Sequence, residues 1–140
     1  MSSVNEEAAF LVLLVDDLDD SRAMYAEYLV RSGYRVVQAA DGAQAVTLAR
    51  DLLPDLVVMD MALPVLDGWA AVRRLKSDEQ TRLIPVVALT GHTAASHVRR
   101  AREAGCDAFL IKPCLPSALL AVVRDLLAHA HAQPTRGARS

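Results

Sequence analysis

Positive charge is not in excess here: 15 Lys and Arg stand against 17 Asp and Glu, a formal net charge of −2. Without an overall basic field, the chain does not point to nucleic acid as a partner. Long hydrophobic runs are missing too. No stretch approaches the ~18 consecutive apolar residues of a membrane span, so no membrane association is expected. Cysteine is scarce, and Cys106 and Cys114 share no metal-site or redox spacing. Both are expected to stay reduced in a cytoplasm, as small buried or half-buried side chains. His92, His97, His129 and His131 also lack metal-site spacing and read as surface residues. The N-terminus carries Glu6-Glu7 where a secretory signal would carry basic residues, so no export signal is read. No repeat, linker or second core interrupts the 140 residues, a length that suits one domain with one sizeable core.

What the sequence does have is a set of apolar runs that end in polar groups. Val57-Val58-Met59-Asp60 lies between Pro54 and Pro64 and reads as a strand buried on both faces. An apolar strand gives its terminal aspartate no structural reason to be there. The run 10–15 ends at Asp16-Asp17, the run 84–90 ends in Thr90, and the run 108–112 ends in Lys112. In an open α/β sheet, ligands and chemistry collect at the carboxyl ends of the strands. Four strand ends thus deliver three carboxylates, a hydroxyl and an ammonium to one place.

The stretches between these runs read as helices. Asp19, Asp20 and Ser21 are expected to cap a helix reaching about Ser32, with Ser21, Tyr25, Tyr28, Leu29 and Ser32 on one face. Glu27 and Arg31 pair on its outside, and Gly33 ends it in a left-handed cap. Residues 34–39 form the most polar strand and so the sheet edge. Asp41-Gly42 begins a helix with Ala45, Leu48, Ala49 and Leu52 inward. Asp67-Gly68 begins another that buries Val72 and Leu75. Residues 77–81 read as a polar loop, and a helix over 93–104 is closed by Gly105. Pro116 opens the last helix, which turns Leu119, Val122, Val123, Leu126 and Leu127 inward. Five strands alternating with five helices imply a parallel sheet with right-handed crossovers. Residues 1–8 are expected to be disordered, 9–130 to form the domain, and 131–140 to be a flexible tail.

Carboxylates packed together repel, by about 4 kcal/mol for a pair at ~4 Å and an effective dielectric of ~20. The cluster must take up protons or bind a cation, and hard carboxylate oxygens suit Mg²⁺. Lys112 and Thr90 then fit the charge and oxygens of a phosphoryl group, and an aspartate can itself be the nucleophile. Other polar residues have plainer readings. Asp19, Asp20 and Asp67 read as helix caps. Arg99, Arg100 and Arg102 read as a solvated helix face, with partner docking as the alternative. Asp17-Leu18-Asp19-Asp20 is not a calcium loop, because the required Gly and distal Glu are absent.

Taken together, these residues resemble the receiver domain of bacterial two-component response regulators. The resemblance runs from about Phe10 to about Ala130. It rests on Asp16-Asp17, Asp60 with Leu63-Pro64 and Asp67-Gly68, Thr90, and the segment from Gly105-Cys106-Asp107 through Phe109 to Lys112-Pro113. It implies a flavodoxin-like (βα)5 single domain with a parallel five-stranded sheet of order 2-1-3-4-5. It implies that Asp60 accepts a phosphoryl group from a histidine kinase or phosphotransfer protein. Mg²⁺ would be held by Asp16, Asp17, Asp60 and the Ala62 backbone carbonyl, with Asp16 acting mostly through water. Lys112 would contact the phosphoryl group, Thr90 and Phe109 would form the switch pair, and the bond before Pro113 would be cis. Ala62 and His92 would border the path of the hydrolytic water and tune dephosphorylation.

The resemblance further implies a phosphorylation-controlled switch in the cytoplasm rather than a conventional enzyme. Its output would pass to a downstream protein through the 93–104 helix, the fifth strand and the last helix. No output domain is read after the receiver, so the expectation is a stand-alone response regulator, with a fragment of a hybrid kinase or larger regulator as the alternative. Two departures stand out: Leu63 replaces a usual Met, and Leu115 replaces a polar cap for the last helix. The rival from another class is a haloacid-dehalogenase-type phosphatase, whose D-x-D motif Asp17-Leu18-Asp19 imitates. Against it, Asp20-Ser21 stands where that motif is followed by Gly-Thr, and no acidic pair follows Lys112.

Overall fold

The computed structural model describes residues 9–63, 65–91 and 95–131, with the side chains of 95–98, 101 and 131 excepted. The expectations for residues 1–8 and 132–140, and for Pro64 and His92, lie outside the described residues. Ten elements alternate along the chain. They are β1 (Leu11–Val15), α1 (Asp19–Arg31), β2 (Arg35–Ala39), α2 (Gly42–Leu52), β3 (Leu56–Asp60), α3 (Gly68–Ser77), β4 (Val86–Thr90), α4 (Ala95–Ala104), β5 (Ala108–Ile111) and α5 (Pro116–His131). The strands pair in parallel in the order β2-β1-β3-β4-β5. This is the flavodoxin-like sheet that the resemblance implied, with β2 at an edge. Several strands are one or two residues shorter than their apolar runs. Phe10, Tyr34, Ile84 and Pro85 precede the ladders, and Lys112 follows one.

Alternation along the strands builds the two layers, because successive side chains leave opposite faces of the sheet. Leu13, Val15, Val57, Met59, Val86 and Ala88 enter a core completed by α2, α3 and Ala104 of α4. Val12, Leu14, Leu56, Val58, Val87 and Leu89 enter a second core beneath α1 and α5. The central strands β3 and β4, buried on both faces, are therefore apolar at every position but the last.

Three helix expectations need correction. The N-cap of α1 is Leu18, which makes no side-chain cap. Asp19, Asp20 and Ser21 lie inside the first turn, and the Asp16 carboxylate accepts from the N–H of Leu18 just before it. The buried stripe of α1 is Tyr25, Ala26 and Leu29, whereas Tyr28 is exposed. On α2, Val46 is buried and Leu52 is 45% exposed, since the chain turns left-handed at Leu53 (φ 47°) before Pro54. The polar segment after α3 hides one fully buried residue, Thr81, whose hydroxyl donates to the Leu75 carbonyl at 2.6 Å. Other local readings stand. Arg31 pairs with Glu27 at 2.9 Å, and Gly33 and Gly105 take positive φ at the ends of α1 and α4.

The loop from β3 to α3 is tightly seated. A Cβ on Gly68 would lie 2.5 Å from the Asp60 carbonyl oxygen and 2.6 Å from Met61 Cα. A Cβ on Gly42, in α2, would run into the Leu66 carbonyl. Within this loop Val65 is 83% exposed and holds φ 69°, a conformation that suits no β-branched residue. Asparagine tolerates the left-handed region, and Val65 buries too little for its loss to matter. Val65→Asn should therefore raise the unfolding free energy by about 1 kcal/mol, read from urea denaturation. A loss of similar size would contradict this account of the loop.

Candidate functional site

Register alone gathers the polar strand ends. Val15 lies beside Met59, Asp60 beside Leu89, and Thr90 beside Ile111, so Asp16, Asp60, Thr90 and Lys112 leave the sheet at one edge. The Lys112 N–H donates to the Thr90 carbonyl at 2.7 Å, and the Lys112–Pro113 peptide is cis. Asp16 and Thr90 are buried and Asp60 is only 4% exposed, whereas Asp17 faces solvent. Carboxylate oxygens of Asp16, Asp17 and Asp60 lie within 4.8 Å of one another.

Each buried carboxylate has donors. The Ala62 N–H donates to Asp60 Oδ1 at 3.0 Å. Leu18 N–H donates to Asp16 Oδ1 at 2.9 Å, and the Ser21 hydroxyl donates to Asp16 Oδ2 at 2.8 Å. Lys112 Nζ stands between the two acids, 3.3 Å from Asp60 Oδ2 and 3.4 Å from Asp16 Oδ2. Burial raises the pKa of Asp60 above the ordinary carboxylate value, and neighbouring Asp16 adds to this. The Ala62 N–H and Lys112 act the other way without cancelling it. Burial disfavours the charged Lys112, yet Asp60 and Asp16 outweigh it and hold the ammonium's pKa above its usual value.

Other residues singled out in the sequence are placed as follows. Asp67 is the N-cap of α3 and accepts from the Ala70 N–H at 2.8 Å. Asp19 is turned to Arg22 at 2.8 Å, away from the three-carboxylate cluster, and so does not complete a D-x-D site. Ala62 is exposed at the rim. Phe109 is half-buried against the core, with the Arg102 guanidinium 5.4 Å from its ring centroid. Arg100 stacks 4.6 Å over Trp69. Two of the three arginines on α4 are thus engaged with aromatic rings and are not simply a solvated face; no spacing rule in the sequence pairs them. Ser21 was also missed as a site residue, since its cap-like position masked its contact with Asp16.

Three carboxylates against one ammonium leave two negative charges at the edge of the sheet. The donors are hard oxygens, two of them buried and held in place, and this set fits a small divalent cation such as Mg²⁺. Fold and site together define a doubly wound α/β protein with an acidic crevice where the strand order reverses between β1 and β3. The chain belongs to the response regulator receiver domain family, whose model matches residues 12–124. It is 32% identical over 119 residues to the polar-differentiation response regulator DivK of Brucella ovis, spanning 85% of this chain and 97% of that protein. Among solved structures it resembles the chemotaxis response regulator CheY4 of Vibrio cholerae, with 30% identity and a TM-score of 0.80 over 84% of this chain and 98% of that one. The receiver domain of a Pseudomonas aeruginosa sensor histidine kinase matches at 32% identity and a TM-score of 0.80, over 86% and 98% of the two chains. That structure holds a magnesium ion in its active-site cleft.

The raised pKa of Asp60 carries a signed consequence. The folded chain holds this proton to higher pH than the unfolded chain, where Asp titrates near ~3.9. The associated stability is full below that value and is lost as pH rises through the folded pKa. Without divalent cations, Asp60→Asn should therefore unfold at a higher temperature than wild type at pH 7, and the advantage should vanish below about pH 4. Added Mg²⁺ should close the gap, by about 2.7 kcal/mol at 100 times its Kd. An Asn variant less stable than wild type at pH 7 without Mg²⁺ would contradict this reading of the site.

Proposed function

We propose that this receiver is a Mg²⁺-dependent, phosphorylation-controlled switch with Asp60 as its phosphoacceptor. One observation carries the reading: Asp60, at the end of β3, is buried among two further carboxylates and the Lys112 ammonium in a chain of this family. The donor is the phosphohistidine of a kinase or phosphotransfer protein. An Asp60 carboxylate oxygen attacks phosphorus, an oxygen–phosphorus bond forms, and the nitrogen–phosphorus bond breaks as the imidazole departs with its electron pair. Lys112 leaves its position between the acids to pair with the incoming phosphoryl oxygens, and the Thr90 hydroxyl supplies a hydrogen bond to them. Asp16, Asp17, Asp60 and the Ala62 carbonyl would hold Mg²⁺, which supplies charge neutralisation for those oxygens.

Phosphorylation turns the Asp60 carboxylate into an acyl phosphate carrying up to about −2 of charge at the end of β3, beside β4. Thr90 and Phe109 register it, and α4, β5 and α5 present the result to a downstream protein. The contacts of Arg100 with Trp69 and Arg102 with Phe109 support this route, because they tie α4 to both α3 and β5. Likeness to DivK and CheY4, almost all of whose lengths are covered, favours a response regulator that acts through partner binding. Receiver domains of sensor kinases match as closely, and the same chemistry would serve a receiver carried within a larger protein. No described helix is long and apolar enough to cross a membrane. The two free cysteines accord with a cytoplasmic setting.

Incubation with acetyl phosphate and Mg²⁺ should add one phosphoryl group, located on Asp60 by peptide mass spectrometry. Asp60→Asn should take up none. Label on Asp17 or Asp19, or steady turnover of an aryl phosphate, would overturn the reading. Hydrolysis of the phosphorylated form needs water in line with the oxygen–phosphorus bond, and the exposed methyl of Ala62 leaves that approach open. Ala62→Arg should slow the loss of phosphate several-fold, and an unchanged decay rate would remove Ala62 from the water's path. The companion residue His92 carries the same proposal from sequence alone.

A further inference from the structure

Asp16 is completely buried, and a buried carboxylate needs donors on both oxygens. Oδ1 has the Leu18 N–H. Oδ2 has two donors of unequal quality. The Ser21 hydroxyl is at 2.8 Å, whereas Lys112 Nζ is at 3.4 Å and shared with Asp60 at 3.3 Å. Charge-assisted N–H···O bonds normally close to about 2.7–2.9 Å. Lys112 is therefore held loosely between two acids, and Ser21 is the fixed partner of Asp16 Oδ2.

The hydroxyl is itself well anchored. Ser21 lies in the first turn of α1, next to Arg22, whose guanidinium donates to the Asp16 carbonyl at 2.7 Å, Asp19 Oδ1 at 2.8 Å and Gln38 Oε1 at 3.0 Å. Arg22 thus fixes the backbone of Asp16 while Ser21 fixes its carboxylate. We infer that Ser21 is a positioning residue for the cation site, holding Asp16 in its binding orientation before the ion arrives and keeping Oδ2 satisfied when Lys112 turns to a phosphoryl group. The inference rests on the Mg²⁺ site proposed above and adds a determinant of its affinity. Removal of a hydrogen-bond partner of a metal ligand typically weakens metal binding about 10–100-fold.

Calorimetric titration of the full chain with Mg²⁺, with thermal unfolding in EDTA as the control for folding, tests this. Ser21→Ala should raise the Mg²⁺ Kd about 10-fold, and Ser21→Thr, which keeps the hydroxyl, should restore it to within a few-fold. Threonine and valine have nearly the same shape, so Ser21→Val against Ser21→Thr isolates the hydroxyl even if the alanine variant folds poorly. Equal Mg²⁺ affinity in the Thr and Val variants, or a loss of thermal stability without loss of affinity, would overturn the inference while leaving the functional reading intact. A wild-type chain that binds no Mg²⁺ would overturn both.

Discussion

The site depends on one ammonium standing between two buried acids. Lys112 Nζ lies 3.3 Å from Asp60 and 3.4 Å from Asp16, carboxylates that the adjacent strands β3 and β1 bring to the same edge. A like-charge pair at such range costs about 4 kcal/mol at an effective dielectric of ~20. One lysine offsets part of that and leaves the cluster two charges short of neutrality. The pKa of Asp60 is raised and that of Lys112 is raised with it, so the acid resists ionising while the lysine is held charged. Such a set of clustered hard oxygens fits a small divalent cation. Its stored electrostatic cost favours binding.

The remainder of the fold tolerates that cost. Two apolar layers on the faces of β1, β3 and β4 fix the register, and a one-residue slip would turn every strand side chain to the wrong layer. Register in turn sets where Asp16, Asp60, Thr90 and Lys112 emerge. The loop after Asp60 is held by close backbone approach at Gly68 and Gly42. The left-handed Val65 shows that part of it is kept under strain. Two arginine–aromatic contacts tie α4 to Trp69 of α3 and to Phe109 of β5.

Much of this was legible in the sequence because apolar strands that end in charge have few innocent explanations. Asp16, Asp60, Thr90 and Lys112 stand out against Val, Leu and Ile, and parallel alternation makes them neighbours. The sheet order, and the separate roles proposed for the four, needed the family resemblance; periodicity carries neither. What stayed hidden was contact between side chains distant in sequence or ambiguous in type. Thr81 looks like a loop residue until its hydroxyl is seen on the Leu75 carbonyl. Ser21 looks like a cap because serine usually is one, yet it lies inside the first turn of α1 and its hydroxyl donates to Asp16. Leu52 follows the helical stripe but falls where the chain turns away at Leu53.

A crystal structure grown with Mg²⁺ and beryllofluoride tests the central claim most directly. The account predicts beryllium bonded to a carboxylate oxygen of Asp60, Mg²⁺ against Asp16, Asp17 and Asp60, and Lys112 drawn off Asp16 onto a fluoride. Beryllofluoride on another carboxylate, or Lys112 still seated between Asp16 and Asp60 with the mimic bound, would contradict it.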